Sequence, residues 1–331
     1  MRFFRLLLIF ALLVGAAAAG SGYFWFTRPL ALTQSVEFRV PPGAGLRGVA
    51  QTLNQAGAEV EPNLLALAAR LTGKARAIRA GTYGMEPGVT PQSLLTMLTA
   101  GKVLQVEARL IEGWTFRQWR KRIAAHPGLE HVTDALSEPE LMSRLGLAGQ
   151  TPEGLFFPDT YRVDKYSSDL ELFALAARTM QKHLQQEWEQ RAANLPYRNP
   201  YEALIMASIV EKETGTESDR PLVAGVFVNR LRIGMRLQTD PTVIYGLGEA
   251  FDGNLRKVDL LTDTPYNSYT RAGLPPTPIA MPGLASLKAA LHPAATRAFY
   301  FVARGDGSSH FSATLEEHNQ AVIRYQRRGR G

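Results

Sequence analysis

Two glutamates, Glu211 and Glu213, close an apolar run inside residues 207–246, which read ASIVEKETGTESDRPLVAGVFVNRLRIGMRLQTDPTVIYG. Leu204, Ile205, Met206, Ile209 and Val210 precede them at near-helical spacing. On a helix, Glu213 shares one face with Met206, Ile209 and Val210, which lie seven, four and three residues before it. Glu211 falls with Leu204, Ala207 and Ser208, a smaller and more polar face. Gly215 is the expected C-terminal stop. A carboxylate set into an apolar stripe is desolvated, which favours its protonated form. Such a group is a general acid near neutral pH. The same residues also describe an ordinary helix end with solvated charges, and pattern alone leaves both open. Polar and aromatic residues suited to gripping sugars follow the glutamates.

Other chemistries find less support. The chain has no cysteine, which excludes a thiol nucleophile, Cys-based zinc sites and disulfides. Its six histidines, His126, His131, His183, His292, His310 and His318, show no paired ligand spacing. Neither a metal nor another cofactor is expected. Ser208 and Ser218 lack a nucleophile-elbow context. Glu217, Asp219 and Asp240 are the candidates for a second carboxylate in a two-carboxylate glycosidase. A solvated turn accounts equally for Glu217 and Asp219.

The elements that must position these residues begin with an apolar segment. Arg2 and Arg5 precede an uncharged run from Leu6 to Thr27, closed by Arg28. At ~1.5 Å per residue such a run crosses a hydrocarbon core of ~30 Å. Cationic residues before it place the N-terminus in the cytoplasm and the body outside. Ala17, Ala18 and Ala19 also fit a signal-peptide cleavage site. Tyr23, Phe24, Trp25 and Phe26 argue instead for a retained anchor with an interfacial aromatic belt.

A weak repeat follows. FRVPPGAGLRGVAQTL (38–53), YGMEPGVTPQSLLTML (83–98) and ARLIEGWTFRQWRKRI (108–123) each hold a β-prone piece, a glycine and a spaced apolar triad. The glycines are Gly43, Gly88 and Gly113. The triads are Leu46, Val49, Leu53; Pro91, Leu94, Leu98; and Phe116, Trp119, Ile123. The spacing predicts a strand, a glycine turn and an amphipathic helix. Thr90 before Pro91 predicts a cap, and Thr115 with Gln118 a capping box. With a further helix over 63–71, the order strand–helix–helix–strand suggests a small glycan-binding module, although generic αβ packing would look the same. Helices are also predicted over 170–191, 222–231 and 316–325, mostly loops over 238–293, and a short strand over 299–302.

The 331 residues carry net charge +7, are 45% hydrophobic and 20% charged, and suit an anchor plus one large or two modest domains. The positive balance fits nucleic acid, an anionic lipid surface or an acidic polymer. A body outside the cytoplasm disfavours nucleic acid, and part of the excess sits in a basic tail at 327–331.

The strings VEKETG, VNRLRIGMRLQTDPTVIYG, PYNSY, GLPPTPI, SLKAALHP and HN follow one another in order. They resemble the endolytic murein transglycosylase (YceG-like) family, and with the anchor and the module the resemblance covers nearly the whole chain. It implies an α+β chain with a single N-terminal transmembrane helix (1–28), a small LysM-like βααβ subdomain (35–102) and a mixed α+β catalytic domain (103–326). It implies cleavage of MurNAc–GlcNAc bonds in nascent peptidoglycan to 1,6-anhydroMurNAc ends, terminating glycan elongation. The family's essential glutamate corresponds to Glu213. The implied location is the inner membrane, with the catalytic domain periplasmic and wall synthases as possible partners. Asn229, Arg230, Gln238 and Asp240 are candidate contacts to hydroxyls. Tyr245, Tyr266 and Tyr269 are candidates to stack on sugars, and Asn267 to bind an N-acetyl group. Each of these has an equally good structural reading. A membrane-tethered, non-catalytic glycan-binding scaffold for wall synthases is the competing class, and the surroundings of Glu213 separate the two.

Overall fold

The computed structural model describes residues 2–327, of mixed α and β structure. The chain divides into two compact units, Met1–Glu107 with Arg162–Ser167, and Ala108–Tyr161 with Ser168–Gly331. All of the basic tail at 327–331 except the Arg327 backbone lies outside the described residues.

The first unit opens with α1 (Arg2–Thr27), whose best window has mean hydropathy 2.2. Among the described residues it is the one helix long and apolar enough to cross a membrane. Then come β1 (Val36–Val40), α2 (Leu46–Gln55), α3 (Pro62–Leu71), β2 (Gly81–Met85) and α4 (Pro91–Ala100). β1 and β2 pair antiparallel, with Val36 opposite Met85 and Val40 opposite Gly81. Val49, Leu53, Leu65, Tyr83, Leu94 and Leu98 fill the core beneath them. The predicted repeat is present as drawn. Gly43 and Gly88 sit at φ +75° and +97°, a backbone that side chains with a Cβ resist, so each strand turns at once into its helix. Thr90 caps α4 by accepting from the Ser93 amide at 3.1 Å. β3 (Gln105–Arg109) and β4 (Thr160–Asp164) form a second two-stranded pair, along which the chain leaves this unit and returns to it.

The third copy of the repeat belongs to the second unit, where Gly113 (φ +71°) leads into α5 (Phe116–Ala124). Thr115 and Gln118 close the expected capping box. α6 (Glu138–Arg144), α7 (Asp169–Glu189), α8 (Pro200–Glu213) and α9 (Arg220–Arg232) follow. Next are α10 (Asp240–Leu247), α11 (Lys257–Leu261), α12 (Leu284–Leu291), the hairpin β5 (Tyr300–Ala303) and β6 (Ser309–Ser312), and α13 (Leu315–Val322). One π-helical turn, Ile323–Arg327, follows α13.

Loops were expected to dominate residues 238–293, and they do, but the segment also holds α10, α11 and α12. Proline misled the reading at α10: Pro241 occupies the first turn, where no amide hydrogen is needed. The central element is α8. Residues 202–210 are all buried, and α8 packs against α7, α9, α10 and α12. A helix apolar on every side belongs inside a core.

Candidate active site

Asn199 caps α8, accepting from the Glu202 amide at 3.0 Å, and Pro200 fills its first turn. The helix runs through the core and ends at Glu213, where it meets a cavity. Thr214 caps it in an extended conformation, its amide donating to the Val210 carbonyl. The expected stop, Gly215, is not needed and takes no left-handed backbone.

The cavity measures ≈ 670 Å³. Glu213 lines it from the end of α8, and Phe227 and Arg230 from α9. Gln238, Thr239 and Asp240 enter from the connection into α10, and Tyr269 from a later loop. The far wall is β5, Ser309 of β6, and Leu315 and His318 of α13. Five residues singled out from the sequence, Glu213, Arg230, Gln238, Asp240 and Tyr269, are therefore brought together.

Burial raises the Glu213 carboxyl above the ordinary carboxylate range. A hydrogen bond from the Thr239 hydroxyl to Glu213 Oε1 opposes this, the charge of Asp240 adds to it, and that of Arg230 opposes it. Thr239 is itself fixed, its amide donating to Ser268 Oγ at 3.0 Å. Arg230 is buried and donates to the carbonyls of Phe299 (2.7 Å) and Leu237 (2.5 Å), with its guanidinium 5.4 Å from the Tyr300 ring centre. The Tyr269 hydroxyl donates to Asp240 Oδ1 at 2.5 Å. Gln238 takes φ +48°, a conformation uncommon outside glycine, and its amide donates to the Ser268 carbonyl at 3.1 Å.

The other four candidates do not line this cavity. Asn229 donates to the carbonyls of Thr296 (2.9 Å) and Ala298 (3.1 Å), which ties α9 to the strand behind Arg230. Tyr245 and Tyr266 pack edge to face at 4.9 Å, and their hydroxyls bond Glu153 Oε2 (3.1 Å) and Thr277 Oγ1 (2.9 Å). Asn267 is 0% exposed, donates to the carbonyls of Asp259, Leu260 and Thr262, and accepts from the Tyr269 amide. It has no free group for an N-acetyl; it holds the loop that presents Tyr269.

Glu211 and Glu213 part company at the end of α8. Glu211 Oε2 accepts from the Gly283 amide (3.0 Å) and Ser286 Oγ (2.7 Å), pinning the start of α12. Glu217 is exposed. Asp219 is buried and accepts from the Ser309 amide at 2.6 Å. Of the candidate second carboxylates, only Asp240 shares the cavity with Glu213.

Sequence reasoning missed Thr239, Tyr300, Ser309 and His318, which only tertiary packing brings to Glu213. The one signal for His318 was its place in the HN string. Its ring stacks on Tyr300 at 5.2 Å, and its buried Nδ1 has no hydrogen-bond partner. Burial, with Arg230 and His310 nearby, lowers its pKa and favours the neutral ring. Also unforeseen was Glu153, buried away from the cavity, whose carboxyl is pushed up by burial to about 7. His131, Asp134 and Asp169 bring ligand atoms within 4.8 Å of one another. The buried member, Asp169, spends its oxygens on the Val132 and Thr133 amides and the Thr133 hydroxyl, so it braces a loop.

Residues 38–324 match the model of the YceG-like family. An endolytic murein transglycosylase of Bacillus subtilis (strain 168) is 41% identical over 173 residues, covering 52% of this chain and 48% of that one. One from Streptococcus pneumoniae serotype 2 (strain D39) is 26% identical over 320 residues, covering 86% and 57%. The chain thus spans about half the length of these curated relatives. A crystal structure of a yceG-like protein from Listeria monocytogenes superposes with TM-score 0.55 and 27% identity, covering 87% of this chain and 99% of that one.

Proposed function

This chain belongs to the YceG-like family, and on that premise we propose that it is an endolytic lytic transglycosylase acting on peptidoglycan glycan strands. The observation that carries the reading is Glu213, a desolvated carboxyl on a cavity wall with a hydroxyl donor and a guanidinium close by. Burial keeps its proton available at the start of the reaction, while Thr239 and Arg230 keep the carboxylate accessible afterwards. Protonated Glu213 donates to the oxygen of a MurNAc–GlcNAc bond as that bond breaks. The resulting carboxylate accepts the proton of the MurNAc C6 hydroxyl as its oxygen attacks C1. The products are a 1,6-anhydroMurNAc end and a free GlcNAc hydroxyl, no water is consumed, and Glu213 regains its proton. The internal nucleophile brings the proximity advantage of an intramolecular step. Arg230, Gln238, Asp240 and Tyr269 contact the sugars, and Asp240 faces the charge that develops at C1.

In the same reading the βααβ unit is a LysM-like glycan holder. α1 anchors the chain in the inner membrane, with Arg2 and Arg5 cytoplasmic and both units periplasmic. Cleavage then terminates glycan elongation, beside the wall synthases. Digestion of purified sacculi, with the fragments weighed by mass spectrometry, tests the reaction. Anhydro ends are expected. Reducing ends would mean that water attacks instead, with Asp240 as the second carboxylate, and uncut glycan that still binds would mean a scaffold.

A further inference from the structure

Outside α1, the large apolar side chains exposed in the first unit, among the described residues, are Leu64, Leu67 and Leu71, at 39%, 51% and 79%, and Tyr166, at 37%. The three leucines, the most exposed of these, are on α3. Their spacing of three and four residues puts them on one face of it, beside the buried face of Leu65 and Ala69. A folded domain seldom gathers three exposed leucines into one stripe without something to cover them.

The stripe has a charged flank of one sign. Residues 62–79 carry Arg70, Lys74, Arg76 and Arg79 and no acidic side chain. Two acids, Glu59 and Glu61, stand before α3; Glu61 serves as its cap, accepting from the Leu64 amide at 2.8 Å, and both lie at the far end of the helix from Arg70, Lys74 and Arg76. Apolar groups on one side and cations beside them describe a helix that lies in an anionic lipid surface.

The third observation is the anchor. Trp25 and Phe26, in the last turn of α1, pack against the core of this same unit, and the Leu30 amide donates to the Val89 carbonyl at 2.8 Å. Trp25 lines one recess with Glu59, Val60 and Glu61, so the end of the apolar helix stands beside the start of α3. Aromatic residues at the end of a span mark the level of the headgroups.

We propose that α3 rests on the outer face of the bilayer that α1 crosses, with Leu64, Leu67 and Leu71 among the acyl-chain ends and Arg70, Lys74 and Arg76 on anionic headgroups. This rests on the reading of α1 as a membrane anchor and not on the transglycosylase reaction. It gives the first unit a second contact with lipid, so that the module is laid down on the membrane and not merely tethered to it.

The absence of cysteine makes the test direct. Leu64→Cys, Leu67→Cys and Leu71→Cys of the full chain each take a nitroxide label in nanodiscs of phosphatidylethanolamine and phosphatidylglycerol. Ala11→Cys in α1 serves as the lipid reference and Lys182→Cys, exposed on α7, as the water reference. The label's collision rates with oxygen and with a water-soluble nickel chelate are then compared. The expected oxygen-to-nickel ratio on α3 is several-fold above that at Lys182→Cys and approaches that at Ala11→Cys. It falls in phosphatidylcholine alone, and an unchanged ratio there overturns the part given to the basic residues. Ratios equal to the water reference overturn the proposal. Labels shielded from both reagents also overturn it, because a protein surface then covers the stripe. A water-like ratio at Ala11→Cys removes the anchor itself, and the proposal with it, whatever the sacculus digest shows.

Discussion

The two glutamates that end α8 differ in what their oxygens meet. Glu213→Gln keeps the shape and the Thr239 contact but has no proton to give or recover, so anhydro-end production is expected to fall by ~10²–10⁴-fold with glycan binding retained. Glu211→Gln weakens two hydrogen bonds to the start of α12, each worth ~1.5–3 kcal/mol when one partner is charged. It is expected to lower the melting temperature by a few degrees while most activity per folded molecule survives. Equal activity losses with equal melting curves would show that the roles are wrongly divided. Thr239→Val removes the donor that lowers the pKa of Glu213, so the pKa rises further. Activity requires the protonated form and declines as pH rises through that pKa; the alkaline limb should therefore move to higher pH, and Thr239→Ser should restore it. A pH–rate profile that stays in place would remove Thr239 from this role. The face of α8 that carries Glu213 was legible from spacing, although spacing alone left a solvated helix end as open as an acid. Thr239 was passed over between Gln238 and Asp240, since it stands twenty-six positions after Glu213 and only a buried network brings its hydroxyl to the carboxyl.

At the scale of elements, Glu153 joins two helices. It accepts the Phe116 amide at the start of α5 and the hydroxyl of Tyr245 in α10, while burial holds its carboxyl at about 7. Its folded value lies above the unfolded 4.5, so the fold prefers the protonated group. That contribution is complete below about 4.5 and is lost as pH rises towards 7. Glu153→Gln stays neutral and can accept the same two bonds. It is expected to melt close to the parent at pH 5 and above it at pH 8, by up to ~3 kcal/mol of stability. Parallel melting curves across that range would refute this. Elements with local punctuation were legible: the glycine turns, the caps at Thr90 and Thr115 and the buried triads all announce themselves over sixteen residues. β4 and β6 were not, because each is a short strand whose partner supplies the pattern. Nor were α10 and α12, where proline and glycine read as loop but stand at helix starts.

For the whole molecule, the division into units decides what can be removed. Cutting at residue 102, as the repeat suggested, takes the first unit away but leaves residues 162–167 behind. There the Lys165 amide donates to the Leu104 carbonyl, Thr82 Oγ1 donates to the Lys165 carbonyl, and Lys165 pairs with Glu37. A chain lacking residues 35–102 is expected to keep a cooperative melt of the second unit, to bind sacculi more weakly and to be cut by protease near 162–167. Binding as tight as that of the intact chain would give the module another role. The same arrangement bears on how the protein is made. The first unit is begun at the N-terminus but lacks its last piece until roughly fifty further residues have been synthesised, which at ~5–20 residues per second takes some seconds. Throughout that interval the nascent chain holds an open strand edge at β3. A chaperone that shields this edge would matter more to the yield of this protein than to that of one whose domains close in the order in which they emerge.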